Sequence, residues 1–254
     1  MAKFSANLGF LWTEFELVEA IAKAKAAGFQ AVECHWPYDV PVADVKAALA
    51  KAGIPMLGLN TLRGDVASGE AGLTAVPGRE DEARANIDQA ISYGAEIGCS
   101  VVHVMSGVAE GEEARSVFVE NLKYAAKQAA AHSMNVVIEP INTRDIPGYF
   151  LNKVEQAADI VSAVKEPNLK IMFDCYHVQI MQGDLLTRLE KHLPMVGHIQ
   201  IAAVPDRGEP DDGELDYRAI CGAIDGMGYT GFVGAEYKPR GGTDEGVGWM
   251  GLVG

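Results

Sequence analysis

Positively charged residues are scarce in this chain of 254 residues, which has 21 lysines and arginines against 35 aspartates and glutamates, for a formal net charge of −14. A surface of this sign repels phosphate backbones and anionic membranes, so we expect neither a nucleic-acid partner nor a membrane partner. Long apolar runs are absent too. No stretch approaches the roughly 20 apolar residues that a membrane-spanning helix needs.

Cysteine is also rare, and its four copies are widely spaced without a CxxC pair: Cys34, Cys99, Cys175 and Cys221. This spacing predicts reduced thiols rather than a disulfide framework or a structural zinc site. The first residues run straight into alternating apolar sequence and lack the charged, then apolar, then small-residue order of a secretory signal. We therefore expect a cytoplasmic protein.

What the sequence does contain is a series of eight short apolar runs typical of strands. A segment with helical spacing of apolar residues follows each run, and this alternation is typical of parallel β/α architecture. The predicted strands are residues 4–11, 31–36, 56–61, 101–106, 136–142, 169–176, 196–202 and 232–238. Several helical segments end in glycine, at Gly28, Gly53 and Gly98, which predicts left-handed caps before the next strands.

Eight such units in about 250 residues match the size of a (β/α)8 barrel. A doubly wound sheet usually has fewer strands and a Gly-rich first turn, and no GxGxxG follows the first predicted strand. We predict an α/β fold, a single TIM-barrel domain spanning residues 1–254. Two long connections, 62–79 and 204–217, are candidate functional loops. The last helix, after Thr243, is short and ends at Gly254, so its unit is either incomplete or completed by a second subunit of a homo-oligomer.

Polar side chains lie near the ends of the last four predicted strands, at Glu139, Asp174, Gln200 and Glu236. Active sites of such barrels lie at the C-terminal ends of the strands. Carboxylates at the edge of an apolar strand are costly to bury unless they are paired or bind a cation. Three carboxylates and an amide oxygen form a hard-ligand set that suits Mg²⁺ or Mn²⁺. The alternative is that each acid makes a salt bridge or caps the following helix.

Two histidines and one cysteine near these residues each allow two interpretations. His198 lies on the same side of its strand as Gln200, one layer deeper, and we favour a paired core histidine over a role behind the ligands. His103 either contacts a substrate or fills the barrel interior. We expect Cys175, next to Asp174, to be a small buried apolar residue rather than a nucleophile.

Ordered motifs along nearly the whole chain resemble those of the hydroxypyruvate isomerase family. They are residues 4–8 (FSANL), 77–80 (PGRE), 138–142 (IEPIN), 173–177 (FDCYH), 197–202 (GHIQIA), 207–210 (RGEP), 213–217 (GELDY) and 234–239 (GAEYKP). Such a set is much more specific than any single motif. The resemblance implies a xylose-isomerase-like TIM barrel that isomerises or epimerises small sugars or sugar acids with a bound divalent metal.

The resemblance also implies roles for individual residues. The implied metal ligands are Glu139, Asp174, Gln200 and Glu236. The two glutamates would also move the proton, and His177 and Arg207 would hold substrate oxygens. Many relatives carry histidine where this chain has Gln200, and the amide is shared with the hydroxypyruvate group. Isomerisation needs a base, an electrophile and an acid, which two carboxylates flanking a metal supply.

The implied substrate is a small anionic hydroxy-oxo acid, either hydroxypyruvate, which gives tartronate semialdehyde, or a 2-oxo-tetronate. Its carboxylate requires local positive charge in an acidic protein. The candidates are Lys238, Arg207, Arg63 and Arg144, of which we expect Arg144 to be a surface charge. Asp145 would either orient a substrate hydroxyl or cap the next turn. The predicted wall residues are Phe10, Trp12, Tyr38 and Leu62.

Three other functions are compatible with such a barrel but fit the residues less well. A sugar epimerase would share the metal site. A metal-dependent endonuclease would need more metal-binding histidines than the six present, and a basic groove that the net charge of −14 disfavours. A non-catalytic binding protein would not require four polar residues at successive strand ends.

Overall fold

Eight parallel strands form the centre of the computed structural model, which describes residues 2–253. They are β1 (Lys3–Asn7), β2 (Ala31–Glu33), β3 (Gly58–Asn60), β4 (Val101–His103), β5 (Asn135–Ile138), β6 (Leu169–Asp174), β7 (Val196–Ile201) and β8 (Phe232–Ala235). They pair in the order β2-β1-β8-β7-β6-β5-β4-β3. The edge strands approach each other through a parallel bridge between Val32 and Met56. The predicted barrel is therefore confirmed as a nearly closed one.

Helices connect successive strands and pack on the outside of the barrel. They are α1 (Leu17–Ala26), α2 (Val42–Ala52), α3 (Glu80–Ile97), α4 (Gly111–Ala130), α5 (Val154–Val164), α6 (Cys175–Met181), α7 (Leu185–His192), α8 (Tyr217–Gly226), α9 (Thr243–Gly246) and α10 (Met250–Val253), with 3-10 turns at Val66–Ser68, Leu193–Met195 and Val247–Trp249. In α4, Phe118, Leu122 and Ala125 are fully buried, since their spacing places them on one stripe. Within residues 2–253, no helix is both long and apolar enough to cross a membrane.

Glycine ends several helices where the sequence predicts a left-handed residue. Gly53 follows α2 with φ 66° and Gly98 follows α3 with φ 75°, and each donates its backbone N–H to a carbonyl of the helix that it ends. Gly28, after α1, has φ 102°. Because glycine has no Cβ, it adopts these angles without the steric cost that other residues meet. The predicted caps are therefore confirmed.

The strands end earlier than the sequence predicts. β8 ends at Ala235 rather than at residue 238, although Tyr237 is fully buried. β1 ends at Asn7 rather than at residue 11, although Leu11 is fully buried. The apolar runs in the sequence extend beyond the strands, because the loops that follow the strands also bury apolar side chains. The last residues of most predicted strands therefore lie in loops, and those of the predicted strand 169–176 begin α6.

The C-terminal segment packs against the first strand. The Trp249 ring meets the Phe4 ring edge-on, with centroids 5.0 Å apart, and the Trp12 backbone N–H donates to Thr243 Oγ1 at 2.9 Å. α9 and α10 are each four residues long, so the last helix is short, as predicted. The predicted helix end at Gly254 lies outside the described residues.

Candidate active site

A cavity of about 140 Å³ lies at the C-terminal ends of the strands, where the following loops converge. Its apolar wall consists of Phe10, Trp36, Met105, Ile141 and Ile146, and its polar wall of His35, Asn60, Arg63, His103, Glu139, Asp145, His177, Arg207 and Glu236. Of the predicted wall residues, Phe10 lies in this lining, whereas Trp12, Tyr38 and Leu62 lie outside it. Convergent polar groups in a small cleft are typical of small-molecule sites.

Four buried side chains meet at this cavity. One oxygen or nitrogen from each of Glu139, Asp174, His177 and Glu236 lies within 4.8 Å of the others, so the cluster could hold a metal ion. Glu139 directly follows β5, Asp174 ends β6 and Glu236 directly follows β8. Asp174 also caps α6, because its Oδ1 accepts the Tyr176 backbone N–H at 2.8 Å, which leaves Oδ2 for the cluster.

The three carboxyl groups of this cluster differ in their tendency to ionise. Burial, with repulsion from Glu236 and Asp174, raises the pKa of Glu139 well above its usual range. Burial also raises the pKa of Asp174 to about 7, against the attraction of Arg207. Burial acts to raise the pKa of Glu236 as well, but Arg207 and His35 lower it to about 2. The cluster therefore contains one ionised carboxylate beside two carboxyl groups that resist ionisation.

Gln200 lies beside the cluster on β7, where it pairs with Asp174 of β6. Its Nε2 donates to Glu33 Oε2 at 2.9 Å and also to Glu236 Oε1 at 3.4 Å. Three oxygens in this region are buried without a hydrogen-bond partner: Glu139 Oε1, Asp174 Oδ2 and Gln200 Oε1. Such oxygens are costly unless a donor or cation approaches them. A set of hard oxygen donors fits Mg²⁺ or Mn²⁺.

Both oxygens of Glu236, in contrast, have partners. Asn7 Nδ2 donates to Oε1 at 2.7 Å, and His35 Nε2 lies 3.0 Å from the same oxygen. Arg207 Nη2 donates to Oε2 at 2.5 Å. This carboxylate is therefore fixed in orientation by groups from three separate loops and strand ends.

The protonation pattern of His177 follows from its neighbour Asn142. The Asn142 backbone N–H donates to Nδ1 at 3.3 Å, so the neutral ring carries its hydrogen on Nε2. Nε2 lies 3.6 Å from both Glu139 Oε1 and Asp174 Oδ2. Burial lowers the pKa of His177 well below its usual range. His177 therefore presents an N–H donor to the cluster rather than a lone pair for a metal.

Arg207 is held by aromatic rings and acidic groups together. Its guanidinium carbon lies 4.8 Å from the Phe10 ring centroid and 4.9 Å from that of Tyr176. Besides Glu236, its nitrogens lie 3.3 Å from Asp145 Oδ2 and 3.6 Å from Asp174 Oδ2. Its positive charge is therefore shared among three acids, of which Glu236 and Asp145 line the cavity.

Arg63 has a different environment at the same cavity. Its guanidinium carbon lies 4.2 Å above the Trp36 ring centroid, and within residues 2–253 no carboxylate forms an ion pair with it. Arg144 and Lys238 are exposed and lie outside the cavity lining. The idea that Lys238 binds substrate assumed a strand running to residue 238, whereas β8 ends at Ala235. The structure therefore brings Arg63 to the cavity and leaves Lys238 outside it.

The first four strands contribute residues that the sequence analysis missed. Asn7, Glu33 and Asn60 are the last residues of β1, β2 and β3, as His103 is of β4. Of these, only Asn60 lies near the end of its predicted strand, whereas Asn7 and Glu33 lie inside predicted strands that run on to residues 11 and 36. His198 is buried with its Nε2 3.0 Å from Glu33 Oε1, but this nitrogen makes no well-oriented hydrogen bond, so the expected paired core histidine has only a close carboxylate neighbour.

All four cysteines are free thiols. Cys175 is fully buried at the start of α6, and burial raises the pKa of its thiol well above the usual range. A thiol of this kind is a poor nucleophile, because the thiolate is the reactive form. This agrees with the small apolar role expected for Cys175.

Comparisons with known proteins cover almost the whole chain. The sequence profile of the xylose isomerase-like TIM barrel family matches residues 21–251. A 2-oxo-tetronate isomerase from Cupriavidus necator is 44% identical over 254 residues, with 98% of each chain covered. A hydroxypyruvate isomerase from Escherichia coli K12 is 38% identical over 254 residues, again with 98% of each covered. A crystal structure from Brucella melitensis, described as an AP endonuclease of family 2, has a TM-score of 0.96, 40% identity and 99% coverage of both chains.

Proposed function

The chain belongs to the xylose isomerase-like TIM barrel family, and we propose that it isomerises a small hydroxy-oxo acid with the help of a divalent cation. The observation that carries this proposal is the group of three buried oxygens without partners, on Glu139, Asp174 and Gln200, beside a small cavity. A purely structural site would pair such oxygens with donors. The similarity to isomerases of hydroxypyruvate and of 2-oxo-tetronates supports the substrate class.

Hydroxypyruvate is the proposed substrate and tartronate semialdehyde the product, with a 2-oxo-tetronate as the alternative. The two differ by one carbon and carry the same carboxylate and oxo groups. The cavity of about 140 Å³ suits a molecule of this small size. Both relatives are similar to this chain over 98% of its length, so neither substrate is favoured by coverage.

The cation would be held by Glu139, Asp174, Gln200 and Glu236, in keeping with their oxygen donors. When bound, Mg²⁺ or Mn²⁺ polarises neighbouring carbonyl and hydroxyl oxygens and keeps its carboxylate ligands ionised. His177 is not included among the ligands, since its Nε2 carries hydrogen.

The two glutamates would move the proton. One carboxylate removes a proton from C3 of hydroxypyruvate, and the electron pair left behind forms the C2–C3 double bond of an enediolate. The other carboxyl group returns a proton to C2, and the C3 hydroxyl proton passes to the C2 oxygen, so that C3 becomes the carbonyl carbon and C2 carries the hydroxyl. C3 is oxidised as C2 is reduced, so no outside oxidant is needed. Glu139 and Glu236 suit this exchange because both side chains line the cavity, one following β5 and the other β8.

His177 and Arg207 would hold substrate oxygens. The His177 Nε2–H and the Arg207 guanidinium are both hydrogen-bond donors beside the carboxylates, and both line the cavity. A donor near the developing oxyanion stabilises it in a site that excludes water. The rings of Phe10 and Tyr176 restrict the Arg207 side chain, so little ordering is required when substrate binds.

Arg63 would bind the substrate carboxylate. It is the cation at this cavity that lacks an ion-pair partner in the described part of the chain, and the Trp36 ring supports one face of its guanidinium. The edge of a stacked guanidinium stays available for a bidentate bond to a carboxylate. Arg207 is less suitable because its charge is already shared among three acids.

The test is to compare kcat/KM for hydroxypyruvate and 2-oxo-tetronates using protein loaded with Mn²⁺. We expect turnover of at least one of them, and its loss after exhaustive EDTA treatment. Arg63→Ala should raise KM roughly 10-fold or more while changing kcat less, as expected for a charged hydrogen bond. Arg144→Ala is the matched control and should behave as wild type. Turnover of neither acid, or full activity in protein shown to be free of metal, would contradict the proposal.

A further inference from the structure

A buried network behind the cluster has no part in the reaction steps described above. Glu33, at the end of β2, is only 3% exposed and does not line the cavity. Ser5 Oγ donates to its Oε1 at 2.6 Å, and His198 Nε2 lies 3.0 Å from the same oxygen. Gln200 Nε2 donates to its Oε2 at 2.9 Å. Burying a carboxylate costs free energy, and these three contacts offset that cost. The presence of the carboxylate at this buried position still needs a reason.

The chemistry of the carboxylate determines which end of the amide faces it. A carboxylate accepts hydrogen bonds on both oxygens, whereas an amide has a donor end and an acceptor end. Glu33 Oε2 therefore takes the NH2 group of Gln200, and the amide oxygen must point elsewhere. That oxygen is the buried Oε1 that has no hydrogen-bond partner. Without Glu33, only the longer bond to Glu236 Oε1, at 3.4 Å, would hold the NH2 group, and the amide could turn over and place its NH2 group where the oxygen now lies.

The lack of a side chain at Gly234 leaves room for the side chains of Glu33 and Gln200. Gly234 of β8 pairs with Gln200 of β7. A Cβ on Gly234 would lie 2.4 Å from Glu33 Oε1, 2.9 Å from His198 Nε2 and 3.0 Å from Gln200 Cγ. The residues of the network therefore fill the space that a larger side chain at position 234 would need.

We propose that Glu33 is a positioning residue that orients the Gln200 side chain so that its amide oxygen, and not its NH2 group, is offered to the divalent cation. This rests on the proposed function, because it assumes that a cation binds beside Gln200. The Gln200 amide lies next to the cluster, since its nitrogen is 3.4 Å from Glu236 Oε1. Glu33 would act through Gln200 and would not touch the cation or the substrate.

The experiment measures the affinity for Mn²⁺ by calorimetry, without substrate, in the full-length protein. In Glu33→Gln, the new amide NH2 group can donate to the Gln200 oxygen. The Gln200 amide can then turn over and present its NH2 group to the cation. Glu33→Asp keeps the negative charge but is too short to reach the amide. We expect both variants to raise the Kd for Mn²⁺ roughly 10- to 100-fold, as is typical for residues that orient metal ligands. Ser5→Ala is the matched control, because it removes a bond to the other oxygen of Glu33, and it should keep wild-type affinity.

A double-mutant cycle separates orientation from a general effect of charge or folding. Gln200→Ala should weaken Mn²⁺ binding, and adding Glu33→Gln to it should cause no further loss. An equal loss from Glu33→Gln in both backgrounds, or wild-type affinity in Glu33→Asp, would overturn the proposal. If wild-type protein binds no Mn²⁺, the cation of the proposed function fails as well. Normal binding by the wild type with unchanged Glu33 variants removes only the role of Glu33.

Discussion

The two halves of the barrel end in different kinds of side chain. Strands β1 to β4 end in Asn7, Glu33, Asn60 and His103, and strands β5 to β8 carry at or next to their ends Glu139, Asp174, Gln200 and Glu236. In the second half, three of the four residues have a buried oxygen without a hydrogen-bond partner. In the first half, Asn7 donates to Glu236, Glu33 accepts from Gln200, and His103 has a buried ring nitrogen, Nε2, without a partner.

The residues of the first half position other side chains, and the residues of the second half are the side chains that they position. Hydrogen bonds from the first half fix the side chains of the second half, whose free oxygens are left for a ligand. Unpaired buried polar groups are rare in proteins and concentrate at functional sites. The second half should therefore carry the cation and the chemistry, while the first half sets their geometry.

The largest effect should come from removing a ligand of the second half. Asp174→Ala should lose both bound Mn²⁺ and activity, because it deletes an oxygen that nothing else replaces. His177→Ala, a buried neighbour three residues away, should keep its Mn²⁺ and lose activity, since its Nε2–H is a donor. Metal content by atomic absorption and activity in the same samples decide between them. An Asp174→Ala protein with full metal content would make this aspartate merely structural.

A smaller loss of activity should follow from a substitution that keeps an oxygen ligand for the cation but removes a group that carries the proton. Glu139→Gln and Glu236→Gln each retain an oxygen for the cation, so some Mn²⁺ should still bind. The kcat of each should fall on the order of 10²-fold or more, the usual contribution of a positioned acid or base. Steady-state kinetics with saturating Mn²⁺ test this. Near-normal kcat in both variants would show that the glutamates do not transfer the proton.

Residues of the first half should matter less, and through geometry. Asn7→Ala removes one of the donors to Glu236 Oε1, and we expect kcat to fall roughly 10-fold, the lower range for residues that orient a ligand. Asn168→Ala is a suitable control, because Asn168 donates only to backbone carbonyls of Ala126 and Met134 away from the cavity. A loss as large as that of Glu236→Gln would place Asn7 in the chemistry and erase the difference between the halves.

The smallest effect concerns the stability of metal-free protein between pH 7 and 8.5. The folded pKa of Asp174, about 7, and the raised pKa of Glu139 exceed the usual values for unfolded chains. The folded state therefore holds more protons, and its stability falls as pH rises through this range. We expect Tm to drop by roughly a few degrees, and Mn²⁺ or Asp174→Asn to reduce the drop. A Tm that rises over this range would contradict the assigned pKa directions.

The sequence predicted the barrel, and it singled out polar residues of the second half but not those of the first. Strand and helix alternation depends on local apolar spacing, and Glu139, Asp174, Gln200 and Glu236 stand out as polar residues in apolar runs. Contacts such as Asn7 to Glu236, 229 residues apart, arise only when the barrel closes and cannot be seen in local pattern.

The role expected for Lys238 shows the limit of strand-end prediction. Residues 232–238 read as one apolar run, but its last part is a loop that buries Tyr237 instead of continuing the strand. In a strand, successive side chains point to opposite faces of the sheet. This alternation stops where the strand ends, so it does not predict the direction of the Lys238 side chain. Arg63, by contrast, lies in a long loop where no periodicity points to the cavity, so only the folded chain places it there.

In the proposed reaction, two glutamates of the second half, Glu139 and Glu236, transfer a proton through an enediolate. The most direct test is turnover of hydroxypyruvate by Mn²⁺-loaded protein in D2O, with the product followed by NMR and a sample without protein as the control. A carboxylate that carries the proton exchanges it with solvent, so we predict deuterium at C2 of tartronate semialdehyde. Product formed at full rate with no deuterium at C2 would contradict proton exchange and require direct transfer of the hydrogen between the two carbons.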